Sequence, residues 1–524
     1  MGLPVSTRRR LPLIAAFLWL LLIAAACSPI EDTADDALEE GGSEAAGSEG
    51  GGQPGGTLTY AAAPPNTLDP HMASSLGDIH SIQPVVSYLV RLGTNLELLP
   101  DLATEWSSED GQTWTFKLRE GVTFHDGSEF TAEDVVASFD RLVDPEVASA
   151  AAGSFTFLEV GGTTAVDDHT VEFALTEPVG DFPAWTTAYQ AAILPAEWEG
   201  DFANNPIGTG PFTLAEYVPR QRAVYEANPD YFENGMPKLD GMEVVYYEDF
   251  GAQITAIQSG EVDVMTLLPG DLVDTVPEGS GVQLLSAPSA SHSQLTMRVD
   301  TEPWDDVRVR RALALTVDRQ QIVDELWGGH AQVANDHTFS PVYAEAEGLD
   351  IEQREQDIEQ AQQLLEEAGH PDGVSAELTT YGGIGIFAQA VAEMAAPAGF
   401  DLEITVEPTD VYYQHWTDLE LAMETWLHRS SPAQMPSLSF QCGVDWNVPK
   451  WCNEEYDELL TQLNGAVDEG ERAEIVAQMA AIQHEEVPSI IAWYQDTLSA
   501  ARDNVSGFEA HPANFVDFRN TTVQ

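Results

Sequence analysis

The sequence contains few side chains in the arrangements that catalysis requires. His125 and Asp126 are adjacent and could form an acid–base pair, and residues 206–212 (PIGTGPF) are rich in glycine, as phosphate-binding loops are. That glycine segment lacks the lysine and the strand–loop–helix spacing of a nucleotide-binding loop. The chain has no Gly-x-Ser-x-Gly and no His-Glu-x-x-His motif, and its twelve histidines are scattered. We therefore predict a protein that is not an enzyme.

Three cysteines limit the possible cross-links: Cys27, Cys442 and Cys452. The last two flank a loop with a glycine and a proline that is short enough to bring their Cα atoms to bonding distance. In an exported protein such a pair is most simply a disulfide, which would hold Trp446 in place. Metal binding needs more ligands than this loop offers, so we predict no metal site and no cofactor.

Residues 1–26 predict an export signal, because three arginines precede an apolar run broken only by Pro12. The run ends in Ala-Ala-Ala-Cys-Ser, which resembles a bacterial lipobox, so lipidation of Cys27 is expected. An uncleaved anchor helix is the alternative. Residues 27–54 contain mainly Gly, Ser, Ala, Glu and Asp, a composition that predicts a flexible tether.

The charge of the chain excludes nucleic acid as a partner. Asp and Glu number 87 against 21 Lys and Arg, giving a formal net charge of -66, so phosphate would be repelled. The 524 residues are 43% hydrophobic, which is enough for a large core and two or three domains. We hypothesise that the acidic surface is an adaptation to high salt.

Hydrophobic periodicity predicts several elements. Residues 305–319 are expected to form a helix capped by Asp305 or Asp306, with arginines nearby in ion pairs. Residues 57–60 are expected to form a strand, and the alternating segment at 114–127 is expected to form another with one buried face. The buried stripe of the helix is predicted to be Val309, Leu313 and Val317.

Several segments, in a fixed order, resemble one family. Residues 303–311 (PWDDVRVRR), followed by Asp318 and Arg319, resemble the "pPFdDvRVRqAl…DR" segment of solute-binding proteins of peptide-type ABC transporters, the extracytoplasmic family 5. The other matching segments are 66–71 (NTLDPH), 124–127 (FHDG), 206–212 (PIGTGPF), 228–232 (NPDYF), 256–263 (AIQSGEVD) and 357–369 (DIEQAQQLLEEAG). The resemblance covers about residues 57–508.

The resemblance implies an α/β fold of the periplasmic-binding-protein type (class II, cluster C). Two main lobes joined by a hinge would close on ligand, with a third lobe inserted in the first. The implied divisions are lobe I at 55–90, 205–290 and 491–524, lobe II at 91–204, and lobe III at 291–490.

The resemblance also locates the ligand. In dipeptide- and oligopeptide-binding members a Gly-Trp-x-x-Asp strand enters the cleft, and its Asp pairs with the α-ammonium group. The matching stretch here keeps Trp426 but has Arg429 in place of that Asp. Arginine favours a carboxylate, a phosphate or an electron-rich ring. We hypothesise that Arg429 and His428 meet an anionic or sugar-like group while Trp426 stacks on the ligand. Pairing of Arg429 with a local acid is the alternative.

Further ligand-binding candidates are aromatic residues near this strand and two residues after the first strand. Large aromatic residues are more often part of the core than of a site. The aromatic candidates are Tyr381, Tyr412, Tyr413, Trp416, Trp446 and Trp451, and the candidates after the first strand are Asn66 and His71.

The implied function is that of the substrate-binding component of an ABC importer. It would capture a peptide, or a peptide-like or anionic small solute, and deliver it to permease subunits. We expect a monomer held at the membrane by its lipid anchor, facing the periplasm or the cell exterior. The alternatives are a carrier for a metal chelate or a sugar- or opine-type solute, and a sensory lipoprotein with the same fold.

Overall fold

The computed structural model describes residues 55–198, 200–276 and 279–524. The predicted export signal, the tether and Cys27 therefore lie outside the described residues. No helix in the described ranges is long and apolar enough to cross a membrane.

The described chain is rich in short strands. They are β1 (Thr57–Ala62), β2 (Val90–Leu92), β3 (Leu98–Pro100), β4 (Ala103–Ser107), β5 (Thr113–Leu118), β6 (Thr163–Asp167), β7 (Thr170–Ala174), β8 (Phe212–Val218), β9 (Arg222–Ala227), β10 (Gly241–Tyr246), β11 (Val264–Thr266), β12 (Val282–Ala287), β13 (His292–Met297), β14 (Ala331–Val333), β15 (Val374–Tyr381), β16 (Phe400–Glu407), β17 (Leu421–Trp426), β18 (Ser489–Gln495), β19 (Thr497–Arg502), β20 (Val505–Ser506) and β21 (Thr522–Val523).

The α-helices are α1 (Leu76–Ile82), α2 (Ala132–Val143), α3 (Phe182–Trp185), α4 (Phe250–Ser259), α5 (Val307–Ala314), α6 (Arg319–Leu326), α7 (Ile358–Glu367), α8 (Gly385–Ala395), α9 (Thr409–Tyr412), α10 (Gln434–Ser439), α11 (Glu454–Gly465) and α12 (Glu469–Glu486). Short 3-10 turns lie at Pro70–Met72, Ala152–Ser154, Gly270–Thr275, Ala344–Ala346, Ala396–Ala398 and Trp416–Asp418.

Three larger sheets organise these elements. A seven-stranded sheet has the order β12-β19-β11-β1-β10-β9-β8, and a six-stranded sheet has the order β14-β18-β13-β17-β15-β16. A four-stranded sheet, β4-β5-β7-β6, is formed within residues 103–174. Several sheets with helices between their strands confirm the predicted α/β class.

Two short connections link the seven-stranded and six-stranded sheets. One runs from Ala287 to His292, and the other from Gln495 to Thr497. They are joined to each other, because the Gln495 N–H donates to the Ser291 carbonyl at 2.8 Å. The predicted lobe boundary at residue 490 falls inside β18, which pairs with β13 and β14 as far as Gln495. The three-lobe division itself stays a prediction.

The helix predicted at residues 305–319 is α5, and it ends at Ala314. Asp306 caps it by accepting a hydrogen bond from the Arg308 N–H at 2.8 Å. The predicted stripe is fully buried: Val309, Leu313 and Val317. Arg310 does not form the expected ion pair. Its guanidinium instead donates hydrogen bonds to the backbone carbonyls of Trp304 and Glu486, both at 2.7 Å.

The glycine-rich segment 206–212 packs directly on another backbone. A Cβ on Gly208 would lie 2.0 Å from the Val85 carbonyl oxygen, and one on Gly210 would lie 2.5 Å from the Val85 carbonyl carbon. Only glycine permits this approach. The His125 Nε2 lies 3.0 Å from the Gly210 carbonyl oxygen, so this histidine holds the segment in place.

Candidate ligand-binding site

The candidate site lies where three parallel strands of the six-stranded sheet end. β15 runs parallel to β16 and to β17, so their carboxyl ends, Tyr381, Glu407 and Trp426, lie at one edge. The antiparallel β13 begins at the same edge with His292, opposite Trp426. In open α/β sheets, ligands bind outside the carboxyl ends of the strands.

Six aromatic residues near this edge touch one another in a continuous cluster, which we call the aromatic platform. Its ring centroids are 5.1 Å apart for Tyr381 and Tyr412 and 5.6 Å apart for Trp416 and Trp426, and the other contacts are similar. The members are Tyr381, Tyr412, Tyr413, Trp416, Trp426 and Trp446. The structure thus brings together six of the aromatic candidates, whereas Trp451 packs against Phe440 and Tyr456.

The aromatic platform has a buried layer and an exposed layer. Tyr412 and Trp426 are buried, whereas Tyr413 is 42% exposed and Trp446 is 47% exposed. Exposed aromatic rings backed by other aromatic rings offer a stacking surface for a ligand.

The Cys442–Cys452 disulfide is present, as predicted, with the two Cα atoms 4.8 Å apart. It closes the loop that carries Trp446, whose ring lies 6.0 Å from Trp426 and 6.4 Å from Trp416. Since the loop is short, the disulfide limits how far Trp446 can move from the aromatic platform.

Polar side chains pair across β13 and β17 beneath the aromatic platform. Gln294 faces Glu424 in the strand register, and its Nε2 donates to the Glu424 Oε1 at 2.8 Å. The Thr296 hydroxyl donates to the same oxygen at 2.6 Å. Burial of Glu424 raises its pKa to about 7, although these two hydrogen bonds oppose the rise.

The segment after β17 positions His428 and Arg429. The Ala290 N–H donates to the His428 Nδ1 at 3.2 Å, and the ring stacks on Tyr343. Burial lowers the pKa of His428 to about 3, so the imidazole is neutral at physiological pH. The Tyr343 hydroxyl donates to the Arg429 carbonyl at 2.8 Å, which fixes the backbone at this point.

Arg429 makes no ion pair with any residue that the structure describes, and its buried Nε has no hydrogen-bond partner. Burial lowers its pKa, whereas the nearby Tyr343 and Tyr189 favour the charged form. Arginine remains protonated in proteins, so the side chain is a largely buried cation without a counter-charge among the described residues. Among the described residues the alternative of a local acidic partner therefore finds no support.

The next residues contact a segment that follows the four-stranded sheet. The Thr187 hydroxyl lies 3.3 Å from the Ser430 Oγ, and the Ser431 hydroxyl donates to the Asp181 carboxylate. That carboxylate also pairs with Arg472 at 3.2 Å. Arg429 therefore lies beside the junction of two parts of the fold.

Unpaired polar atoms are concentrated at this site. Buried side-chain polar atoms are nearly always hydrogen-bonded in proteins, so a local group of unpaired ones requires an explanation. In the described chain two such atoms lie on adjacent residues just beyond β17: His428 Nε2 and Arg429 Nε.

Asn66 has a different environment from the other candidates. It is exposed after β1, and its backbone N–H donates to the Asp78 carboxylate at 2.6 Å. In the part of the chain that the structure describes, no contact joins its side chain to the aromatic platform. Its role in binding stays a prediction.

Sequence reasoning did not include Gln294, Glu424, Tyr343 and Tyr189 among the site residues. The available signal was Glu424, a lone acid inside the apolar strand LAMETW. Its partner Gln294 is 130 residues away in the chain, so only the strand register shows that the two face each other.

No group of three or more His, Cys, Asp or Glu side chains within the described ranges could hold a metal ion.

Residues 97–447 match the family model described as "Bacterial extracellular solute-binding proteins, family 5 Middle". The chain is 28% identical over 512 residues to the dipeptide-binding protein of Escherichia coli (strain K12), covering 89% of this chain and 95% of that protein. It is 26% identical over 464 residues to di/tripeptide-binding protein 2 of Pseudomonas aeruginosa (strain UCBPP-PA14), covering 80% and 86%.

The fold matches solved structures of the same type. The ABC transporter substrate-binding protein CtaP from Listeria monocytogenes superposes with a TM-score of 0.80 at 23% identity, covering 90% of this chain and 99% of that one. This likeness confirms the predicted periplasmic-binding-protein type of fold.

Proposed function

The chain belongs to the bacterial extracellular solute-binding proteins of family 5, and from this membership we propose that it captures short peptides or peptide-like anionic solutes for an ABC importer. Proteins of this family bind substrates and are not enzymes. The relatives from Escherichia coli and Pseudomonas aeruginosa are a dipeptide-binding and a di/tripeptide-binding protein, which favours peptides over metal chelates or opine-type solutes.

The observation that carries the proposal is the buried Arg429 guanidinium beside the aromatic platform, which has no counter-ion among the described residues. Its Nε and the Nε2 of the neighbouring His428 have no hydrogen-bond partner there either. A peptide offers carbonyl groups, a charged carboxyl end and side chains, so it can pair with these atoms and also stack on aromatic rings.

We propose that Arg429 binds the anionic group of the ligand. Its guanidinium presents several donors in a fixed plane, which suits a carboxylate, and it has no competing acid among the described residues. His428 beside it is neutral because burial lowers its pKa, so it adds a hydrogen-bonding atom without adding charge.

Closure of lobes around the ligand is part of the proposal. The two connections at residues 287–292 and 495–497 are short and hydrogen-bonded together, which suits a hinge. Lobe I would consist of about 55–90, 205–290 and the segment that follows β18. Lobe II would consist of 91–204, and lobe III of the residues from 291 to the end of β18.

We further propose that residues 1–26 direct export and that Cys27 is lipidated, with residues 27–54 as the tether. A monomer anchored in this way would face the periplasm or the cell exterior and pass its ligand to permease subunits. Mass spectrometry of the purified chain tests the proposed export and lipidation. An N-terminal diacylglyceryl-cysteine is expected, and an intact leader would contradict the proposal.

Native mass spectrometry of the full purified chain tests the binding function. A bound short peptide, released by gentle denaturation and sequenced, is the expected result. A bound metal chelate or opine would overturn the peptide assignment. If the protein is isolated empty, thermal-shift measurements with dipeptides and tripeptides must show stabilisation, and no shift with any of them would contradict the proposal.

A further inference from the structure

A cavity of about 250 Å³ lies between the strand pair β2–β3 and the chain segment that connects β20 to β21. Its described lining residues fall in the ranges 83–101, 187, 211–231 and 509–519. None of these ranges includes a residue from 291–490, the part of the chain that carries the aromatic platform and Arg429. The cavity is therefore separate from the candidate peptide site.

The interior of this cavity is apolar and large enough for an aromatic ring. Phe515 contributes a ring whose centroid lies 5.1 Å from that of His511. An apolar cavity of about 150 Å³ binds benzene in another protein, so this one has room for one ring with a short chain. The buried apolar residues of the wall are Val86, Val90, Leu92, Phe212, Val516 and Phe518.

Ser87 adds a hydroxyl to the interior. The residue lines the cavity and is 2% exposed, and its backbone carbonyl accepts a hydrogen bond from the Ile193 N–H at 3.0 Å. The hydroxyl itself makes no hydrogen bond to any residue that the structure describes. Buried polar side-chain atoms nearly always have a partner, so a ligand with a hydrogen-bonding atom would supply the missing one.

Two acids lie at the exposed end of the cavity, and both carboxylates are next to the turn at residues 93–94. A Cβ on Gly93 would lie 2.4 Å from the Glu97 Oε2, and the Thr94 hydroxyl donates to the Glu509 Oε2 at 3.4 Å. Both acids are exposed, and neither forms an ion pair with a described residue.

The two arginines that line the cavity are already paired with other acids. Arg519 donates to Asp517 at 2.9 Å and to Glu233 at 3.1 Å, and Arg91 donates to Glu233 at 3.4 Å. The charge left without a partner at the exposed end is therefore negative. A cation is attracted to this end, whereas a carboxylate is repelled.

We propose that the cavity is a second ligand site, for a small arylalkylamine that carries a ring hydroxyl. The ring fills the apolar interior, the hydroxyl pairs with Ser87, and the ammonium group lies beside Glu97 and Glu509. Tyramine is a simple molecule of this class. Amino acids and peptides fit less well, because their carboxylate would lie near the same two acids. The inference does not depend on the proposed peptide function.

Isothermal titration calorimetry on the full chain tests the inference with three probes of similar size. They are tyramine, 2-phenylethylamine, which lacks the hydroxyl, and 4-ethylphenol, which lacks the ammonium group. Native protein should bind tyramine about fivefold more tightly than 2-phenylethylamine, because of one buried hydrogen bond. It should bind tyramine about fivefold more tightly than 4-ethylphenol, because of the charge attraction at the exposed end.

Two sets of variants assign these preferences to named side chains. Ser87→Ala should remove the preference for tyramine over 2-phenylethylamine. Glu97→Gln combined with Glu509→Gln should remove the preference for tyramine over 4-ethylphenol. The control is Glu105→Gln, an exposed acid on β4 that does not line the cavity, and it should keep both preferences.

A third variant tests the location by filling the cavity. Leu99 lines the cavity and is half-buried, so Leu99→Trp should abolish tyramine binding and leave binding of the tripeptide Ala-Phe-Ala unchanged. Leu98→Trp is the matched control, because neighbouring residues of a strand point to opposite faces and Leu98 does not line the cavity. Thermal melting shows whether both variants fold.

Three results would overturn the inference. They are absence of tyramine binding by native protein, equal binding of the three probes by native protein, and undiminished tyramine binding in a folded Leu99→Trp variant. If Leu99→Trp does not fold, the loss or persistence of the two preferences in the Ser87 and Glu97/Glu509 variants decides. Failure of native protein to bind Ala-Phe-Ala would contradict the proposed peptide function and leave this inference in place.

Discussion

Arg472 on α12 lies 3.2 Å from Asp181, and the same carboxylate accepts a hydrogen bond from Ser431, two residues after Arg429. Both charged side chains are largely buried. Asp181 therefore connects the segment that carries Arg429 to a different part of the fold, and it contributes to the position of the guanidinium.

Asp181→Asn should weaken both stability and ligand binding. Loss of a charged hydrogen-bond acceptor for Arg472 and Ser431 should lower the free energy of unfolding by about 1.5–3 kcal/mol. Denaturant unfolding and calorimetry with Ala-Phe-Ala would measure the two effects. The control is Asp300→Asn, because the ion pair of Asp300 with Arg298 is more exposed than that of Asp181 with Arg472 and should contribute less. Unchanged affinity in Asp181→Asn would show that the segment holds its position without this contact.

Arg429→Ala should weaken ligand binding at least about tenfold, or 1.4 kcal/mol. The same change should leave stability unchanged or slightly raised, because it removes a largely buried charge that has no described counter-ion. Arg429→Lys should recover part of the affinity, since a lysine keeps the charge but loses the planar arrangement of donors. Calorimetry and thermal melting give both quantities, and native affinity in the alanine variant would remove Arg429 from the site.

The stability difference between Glu424→Gln and native protein should depend on pH. Burial raises the pKa of Glu424 to about 7, so between its ordinary value of 4.5 and about 7 the folded state holds a proton that the unfolded state has lost. Rising pH therefore penalises native protein in this window, and Gln does not titrate. As pH rises through this window, the free energy of unfolding of native protein should fall relative to that of Glu424→Gln by up to about 3 kcal/mol. Above pH 7 the gap between the two proteins should stay constant.

Denaturant unfolding at pH 4.5 to 8 measures this difference. The comparison with Glu424→Gln is necessary because buried histidines act in the opposite direction. Burial lowers the pKa of His292 and His337 to about 4, so these groups remove stability as pH falls below 6.5. Both proteins share the histidine effect, and a difference that does not change with pH would contradict the assignment.

Replacing both Cys442 and Cys452 by serine should lower the free energy of unfolding by about 2–3 kcal/mol, the usual value for so short a loop. Binding of Ala-Phe-Ala should also weaken, because Trp446 is freed from its place against Trp416 and Trp426. A matched Trp446→Phe variant that keeps the disulfide should lose binding without the loss of stability. Full affinity in the serine variant would show that Trp446 needs no cross-link.

Local patterns in the sequence were enough to predict several elements correctly. Helix α5 follows from the cap at Asp306 and the apolar spacing of Val309 and Leu313, because both signals lie within one short segment. The disulfide follows from two cysteines with a flexible loop between them. Arg310 was less predictable, since the carbonyl of Glu486 that it binds is brought near only by the packing of α12.

The aromatic part of the site could be predicted, but its polar part could not. Trp426 was recognisable from the resemblance of its segment to the family's cleft strand, and Tyr381 and Tyr412 as large aromatic residues near that strand. Gln294 and Glu424 face each other because of the register between β13 and β17, and these two strands are far apart in the chain. The lack of a described counter-ion for Arg429 depends on where every acidic side chain lies, so it required the folded structure.

The exposed ring of Trp446 gives the protein a built-in optical signal. Indole emission moves to shorter wavelength when water leaves the ring, so a solute that covers Trp446 should shift the fluorescence of the unlabelled protein. The other eleven tryptophans add a background, and subtracting the spectrum of Trp446→Phe isolates the signal. Stopped-flow recordings of this difference would then time solute capture directly, without a chemical label.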